Sequence, residues 1–124
     1  MATANPFLIL YVEDNDSIRE SFAEILAGED RRVVSVADGA SARKALLEEN
    51  VNLLMTDIDL PDGSGVDVAR EALQQNPMLP VIVCSGHDVK GIARSLGPNA
   101  HALMKPVDFD ELEALVERLA RSSC

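Results

Sequence analysis

Four short features of the chain could do chemistry. They are the adjacent acids Glu13-Asp14, the spaced pair Asp57-Ile58-Asp59, Ser85 before Gly86, and Lys105 before Pro106. Taken singly, each has an ordinary explanation. Two acids suit the start of a helix, Asp-x-Asp is a common turn composition, and Ser-Gly and Lys-Pro mark loops. Together they read differently, because each lies at the end of an apolar run. If Glu13, Asp14 and Asp57 meet, each pair of carboxylates ~4 Å apart repels by about 4 kcal/mol at an effective dielectric of ~20. Either one carboxyl stays protonated with a raised pKa, or a hard cation offsets the charge. Oxygen-only ligands suit Mg2+, with Mn2+ as an alternative, since such an ion keeps several waters. Adding a hydroxyl (Ser85) and an ammonium (Lys105) gives a set suited to phosphoryl transfer.

The elements that must position these residues follow from hydrophobic pattern. Phe7–Val12, Val33–Val36, Leu53–Thr56, Val81–Cys84 and His101–Met104 read as strands. Most are continuously apolar rather than alternating, as in parallel strands covered on both faces. Between them lie segments of helical period. Ile18, Phe22, Ile25 and Leu26 share one face, with Ser17 and Glu20 as a capping box and Gly28 at the end. Ala42, Ala45 and Leu46 mark a second helix, started near Asp38 or Ser41. Val66, Val68, Ala69 and Leu73 mark a third, opened by Gly63-Ser64-Gly65 and stopped before Pro77. Asp88–Leu96 reads as a short fourth helix despite Gly91, which costs up to ~1 kcal/mol relative to Ala. Phe109, Leu112, Val116 and Leu119 mark a fifth, capped by Asp108.

The order βαβαβαβαβα predicts an α/β fold: a doubly wound, five-stranded parallel sheet, strand order 2-1-3-4-5, with right-handed crossovers. Sites in such sheets lie beyond the carboxyl ends of the strands, where strand order reverses. Here that point lies between the first and third strands, which end in Glu13-Asp14 and Asp57. Neighbouring strands ~4.8 Å apart then set the scale of the carboxylate cluster.

Composition narrows the class. The chain has 124 residues, 47% hydrophobic and 26% charged, so a single globular domain over 1–124 is expected, with its core at about 7–119. A net charge of −10 opposes binding to polyphosphate backbones. Phe7, Tyr11, Phe22 and Phe109 are too few and too scattered for base stacking. No apolar run approaches the ~18 residues of a membrane span, and Met1–Pro6 lacks the features of a secretory signal. Cys84 ends an apolar run and reads as a buried free thiol, and Cys124 is the last residue. No disulfide is expected, which fits a reducing, cytoplasmic setting.

The set Glu13-Asp14, Asp57 followed by Leu60-Pro61 and Gly65, Ser85, and Lys105-Pro106 resembles the receiver domain of two-component response regulators, from about Phe7 to about Leu119. The resemblance implies the flavodoxin-like (βα)5 fold of chemotaxis regulators. It implies that Asp57 accepts a phosphoryl group from phosphohistidine and is not an enzyme's turnover nucleophile. Asp14 and Asp57 would hold Mg2+, with Glu13 acting through water and Asp59 through its backbone carbonyl. Lys105 would pair with a carboxylate at rest and a phosphoryl oxygen after transfer, and Ser85 would rotate to donate to another. Asp59 and His87, close to the phosphoryl group, would modulate its lifetime. A cis Lys105–Pro106 peptide is expected. The implied partners are a sensor histidine kinase or histidine phosphotransfer protein and a downstream protein target.

One position departs from the family. Three residues before the lysine, where receivers usually place an aromatic partner for the switch hydroxyl, stands Ala102. His101 and Leu103 cannot replace it, since a one-residue shift points to the other sheet face. Signalling through motion of the fourth helix, or only weak propagation, is expected instead. Three rival readings stand beside this one, the third being a receiver-like interaction module that is never phosphorylated, against which the intact Asp57, Ser85 and Lys105 argue. A haloacid-dehalogenase-like phosphatase also uses Asp-x-Asp, but on its first strand. A flavodoxin-like cofactor binder needs a hydroxyl- and glycine-rich loop where Glu13-Asp14 stand. The resemblance fits equally a receiver that stands alone and one that belongs to a longer regulator or hybrid histidine kinase.

Overall fold

The computed structural model of the chain describes residues 6–86 and 89–122. Its elements run β1 (Phe7–Val12), α1 (Asp16–Leu26), β2 (Arg31–Val36), α2 (Gly39–Glu48), β3 (Leu53–Asp57), β4 (Asp59–Leu60), β5 (Gly63–Ser64), α3 (Gly65–Gln75), β6 (Val81–Ser85), α4 (Val89–Leu96), β7 (Ala100–Met104) and α5 (Phe109–Ser122). The main sheet is parallel, with order β2-β1-β3-β6-β7. This is the expected doubly wound order, with the fourth and fifth main strands now β6 and β7.

Strand side chains alternate between two apolar layers, as the period of two requires. Leu10, Val12, Leu54, Val81 and Val83 pack with Ala42, Val68 and Ala69 of α2 and α3. Ile9, Tyr11, Met55, Ile82 and Cys84 pack with Leu26, Leu112 and Val116 of α1 and α5. Cys84 is buried and free. Both faces being covered explains why the strands carry continuous apolar runs.

Three local readings needed adjustment. The cap of α1 is Asn15, not the Ser17–Glu20 box. The Asn15 side chain accepts from Ile18 N–H at 3.0 Å and its carbonyl accepts from Arg19 N–H at 2.9 Å. This places Ser17 inside the first turn. Several strands are longer than their apolar runs, because polar Arg31, Asp57 and Ser85 continue the ladder. A two-residue antiparallel hairpin, β4–β5, follows β3 directly. Pro61 and Asp62 form its loop, and Gly63 takes φ +147°, a conformation L side chains rarely adopt. The caps expected from Asp38 and Asp108 are present, on Ser41 N–H at 2.7 Å and Asp110 N–H at 2.8 Å. Asp88 lies outside the described residues, and α4 is helical from Val89.

Candidate functional site

The carboxyl ends of β1, β3, β6 and β7 converge. Asp57 is the last residue of β3 and Ser85 the last of β6, while Glu13 and Lys105 each stand one residue beyond their strands. Carboxylate oxygens of Glu13, Asp14 and Asp57 all lie within 4.8 Å of one another. Glu13 and Asp57 are buried, and Asp14 is exposed. Lys105 Nζ donates to Asp57 Oδ2 at 2.8 Å and lies 3.6 Å from Glu13 Oε1. The one ammonium pairs with two of the three carboxylates, which leaves more acidic than basic groups in the cluster. Two buried carboxylates and one exposed one, all hard oxygen donors, fit a divalent cation approached from solvent.

Backbone contacts hold the cluster in place. Asn15 N–H donates to Glu13 Oε2 at 3.1 Å, and the Arg19 guanidinium donates to the Glu13 carbonyl at 2.8 Å. Thr56 Oγ1 donates to the Asp57 carbonyl at 2.9 Å. Lys105 N–H donates to the Ser85 carbonyl at 2.9 Å, which fixes the last residue of β6 against the start of the cis Lys105–Pro106 turn.

The electrostatics follow from burial and crowding. Burial is the largest influence on Glu13 and pushes its pKa up; the Asn15 amide and Lys105 pull it down, and Asp57 pushes it up again. For Lys105, burial pulls the pKa down, but the hydrogen bond and charge of Asp57, with Glu13, outweigh it and the net shift is upward. Burial also raises Cys84, to about 12, so this thiol stays protonated. Glu13 gives a testable pH dependence. A carboxyl whose folded pKa is raised binds more protons in the folded state than in the unfolded one. Stability then falls as pH rises through the range above the ordinary glutamate value of about 4.3. In metal-free buffer, Glu13→Gln is expected to flatten this fall and to leave the protein more stable than wild type at pH 7. Chemical denaturation of both proteins from pH 4 to pH 7 checks it; parallel curves would contradict it.

The other expected site residues fall as follows. Asp59 lies exposed in β4, two residues from Asp57. His87 lies outside the described residues. Ala102 is half-buried in β7, opposite Val83, and packs in the α2–α3–α4 layer. No ring stands at that position.

Two features escaped the sequence reading. A cavity of 540 Å³ opens beside Lys105, walled by Tyr11, Ile18, Phe22, Val107 and Phe109. Tyr11 and Phe22 lie 6.2 Å apart by ring centroids, and Phe22 and Phe109 5.0 Å apart. The four aromatics noted as scattered in sequence thus include three that gather at this wall, a fact only the fold reveals. Ile18 and Phe109 remain 41% and 49% exposed at it, so α1 divides its apolar face between core and surface. The second feature is the Asp62 carboxylate, which reaches from the β4–β5 loop to the first amides of α2. Its only signal in sequence was the turn composition Pro61-Asp62-Gly63.

Comparison with known proteins agrees with the geometry. A sequence profile of the response regulator receiver domain matches residues 9–117. The DNA-binding transcriptional regulator NtrC of Escherichia coli (strain K12) is 34% identical over 113 residues, which is 90% of this chain but 24% of NtrC. The response regulator receiver protein CpdR of Brucella abortus (strain 2308) is 31% identical over 117 residues, covering 90% of this chain and 94% of CpdR. The crystal structure of a CheY-like response regulator receiver domain protein from Methanospirillum hungatei JF-1 superposes with a TM-score of 0.82 at 29% identity, over 95% of this chain and 97% of that one. The match to NtrC is confined to a quarter of its length, whereas CpdR and the Methanospirillum protein are matched almost end to end. The sheet order, the acid cluster at its reversal point and the profile match give one answer: this chain belongs to the response regulator receiver domain family.

Proposed function

We propose that this receiver accepts a phosphoryl group from phosphohistidine on Asp57, in a Mg2+-dependent reaction, and signals by a change in its protein contacts. The observation that carries this reading is the Asp57 carboxylate, buried at the end of β3 within 4.8 Å of two other carboxylates and 2.8 Å from Lys105 Nζ. A carboxylate oxygen of Asp57 attacks phosphorus; the O–P bond forms, the P–N bond breaks, and its electron pair stays on the imidazole nitrogen. Held by Asp14, Asp57 and the Asp59 backbone carbonyl, with Glu13 acting through water, Mg2+ would screen the carboxylates from the incoming anion and take up charge on the phosphoryl oxygens. Lys105 transfers its hydrogen bond from the carboxylate to a phosphoryl oxygen, and the Ser85 hydroxyl turns to donate to another. The chain catalyses only its own phosphorylation and dephosphorylation. Asp59 and His87 would set the lifetime of the acyl phosphate through access of water.

A histidine kinase or histidine phosphotransfer protein suits the exposed apolar rim formed by Ile18 and Phe109 beside the site. With Ala102 in place of a ring on β7, the change at Ser85 would pass to α4 rather than to a moving aromatic. Acetyl phosphate, a small-molecule donor, tests the reaction without a kinase. The expected result is one phosphoryl group per chain with Mg2+ and none with excess EDTA, read by intact-protein mass. Equal uptake in EDTA would overturn the cation's role.

A further inference from the structure

The amides of Gly39, Ala40 and Ser41 in the first turn of α2 have no partners within the helix and must be satisfied from outside; the first intrahelical bond runs from Ala42 N–H to the Asp38 carbonyl at 3.1 Å. The Asp38 carboxylate accepts from Ser41 N–H at 2.7 Å. The other two amides go to Asp62, which is distant in sequence. Gly39 N–H donates to Asp62 Oδ1 at 2.8 Å and Ala40 N–H to Oδ2 at 2.9 Å. One carboxylate thus bridges two successive amides with both oxygens.

Asp62 sits in the loop of the β4–β5 hairpin, and this hairpin begins at Asp59, two residues after the phosphoacceptor. At its base the hairpin is closed by Gly65 N–H donating to the Ile58 carbonyl at 2.7 Å. At its tip, among the described residues, the only hydrogen bonds that reach another element are the two that Asp62 accepts from α2. A β-carbon at Gly39 would lie 3.1 Å from both Asp62 Oδ1 and the Arg43 guanidinium, tighter than ordinary contact, so glycine there eases the close approach of carboxylate to helix. The two amides draw the Asp62 pKa below the usual carboxylate range, with a smaller contribution from Arg43. The carboxylate is therefore ionised throughout the neutral range, as a constant tether.

We propose that Asp62 is a positioning residue for the cation site: by clamping the hairpin tip to the N-terminus of α2, it holds the segment whose Asp59 carbonyl completes the Mg2+ ligands. This rests on the reading of Asp57 and Asp59 given above. Asp62 is not a member of the carboxylate cluster; it would act through the backbone between residues 59 and 62. Outer partners that orient a metal ligand cost about tenfold or more in affinity when removed.

The test is a calorimetric titration of the full chain with Mg2+. Wild type, Asp62→Ala, Asp62→Asn and Asp38→Ala are compared, and their melting temperatures are recorded. Asp62→Ala is expected to weaken Mg2+ binding about tenfold. Phosphorylation by acetyl phosphate should be unchanged once Mg2+ saturates. Asp62→Asn keeps one acceptor oxygen and should fall between Asp62→Ala and wild type. Asp38→Ala removes a carboxylate cap from the same helix without touching the hairpin, so it should lower the melting temperature and leave the Mg2+ affinity at the wild-type value. Should Asp62→Ala not fold, Asp62→Asn carries the comparison, with a loss of Mg2+ affinity smaller than about tenfold expected. Wild-type affinity in a folded Asp62 variant would overturn the proposal, as would an equal loss in Asp38→Ala. Failure of the wild-type chain itself to bind Mg2+ would instead remove the underlying reading of the site.

Discussion

Asp57→Asn is expected to fold as the wild type does and to lose phosphoryl uptake from acetyl phosphate by at least about a thousandfold. The substitution keeps shape and leaves an amide oxygen to accept from Lys105 Nζ, now 2.8 Å from the carboxylate. It removes the negative charge that makes the oxygen a nucleophile. No neighbour can take over. Glu13 is buried, its Oε2 is engaged by the Asn15 amide, and burial favours its protonated form. Asp14 is exposed and forms no ion pair with Lys105 among the described residues. The measurement is the initial rate of phosphorylation, with circular dichroism to show that the fold survives. Uptake within tenfold of wild type would mean that another side chain is the acceptor.

The second large effect is structural. Gly65→Ala is expected to destabilise the protein by about 3 kcal/mol, at the upper end of the cost of adding one carbon to a packed interior. Gly65 is buried at the first position of α3, against the end of β3. A β-carbon there would lie 1.9 Å from the Asp57 carbonyl oxygen and 2.7 Å from Thr56 Oγ1. The first of these is backbone and cannot swing aside. Either β3 retreats, carrying Asp57 with it, or α3 moves away and breaks the Gly65–Ile58 hydrogen bond of 2.7 Å. The gain of up to ~1 kcal/mol that alanine brings to a helix offsets only part of this. Urea denaturation gives the stability directly. Gly28→Ala, at a site where a β-carbon meets nothing within 4 Å, is the matched control and should shift the midpoint little. A Gly65→Ala protein as stable as wild type would contradict the packing described.

The sheet and most of the site were legible in sequence for one physical reason. Parallel strands buried on both faces must be apolar throughout, so the polar residue that ends each run marks the carboxyl edge of the sheet. Glu13, Asp57, Ser85 and Lys105 were located that way, and the strand order then brought them together. What stayed hidden depends on contacts between segments distant in the chain. Asp62 looks like any turn aspartate until α2 is placed against the hairpin. Gly65 looks like a helix-opening glycine until the Asp57 carbonyl lies over it. The cap of α1 was misread because Asn15 and Ser17 are both good N-caps. The choice between them is settled by where Glu13 leaves the strand, since its carboxylate holds the Asn15 amide. Tyr11, Phe22 and Phe109 were read as isolated aromatics because helix and strand periods place them on one face only after folding.

The central claim is that Asp57, and no other carboxylate of the cluster, carries the phosphoryl group. An acyl phosphate is reduced by borohydride to the corresponding alcohol, which marks the modified residue permanently. The decisive measurement is therefore peptide mass mapping after acetyl phosphate, Mg2+ and borohydride. Homoserine is expected at position 57 alone, and none when EDTA replaces Mg2+. Reduction at position 14 or 59, or a product at position 57 that forms equally well without the cation, would contradict it.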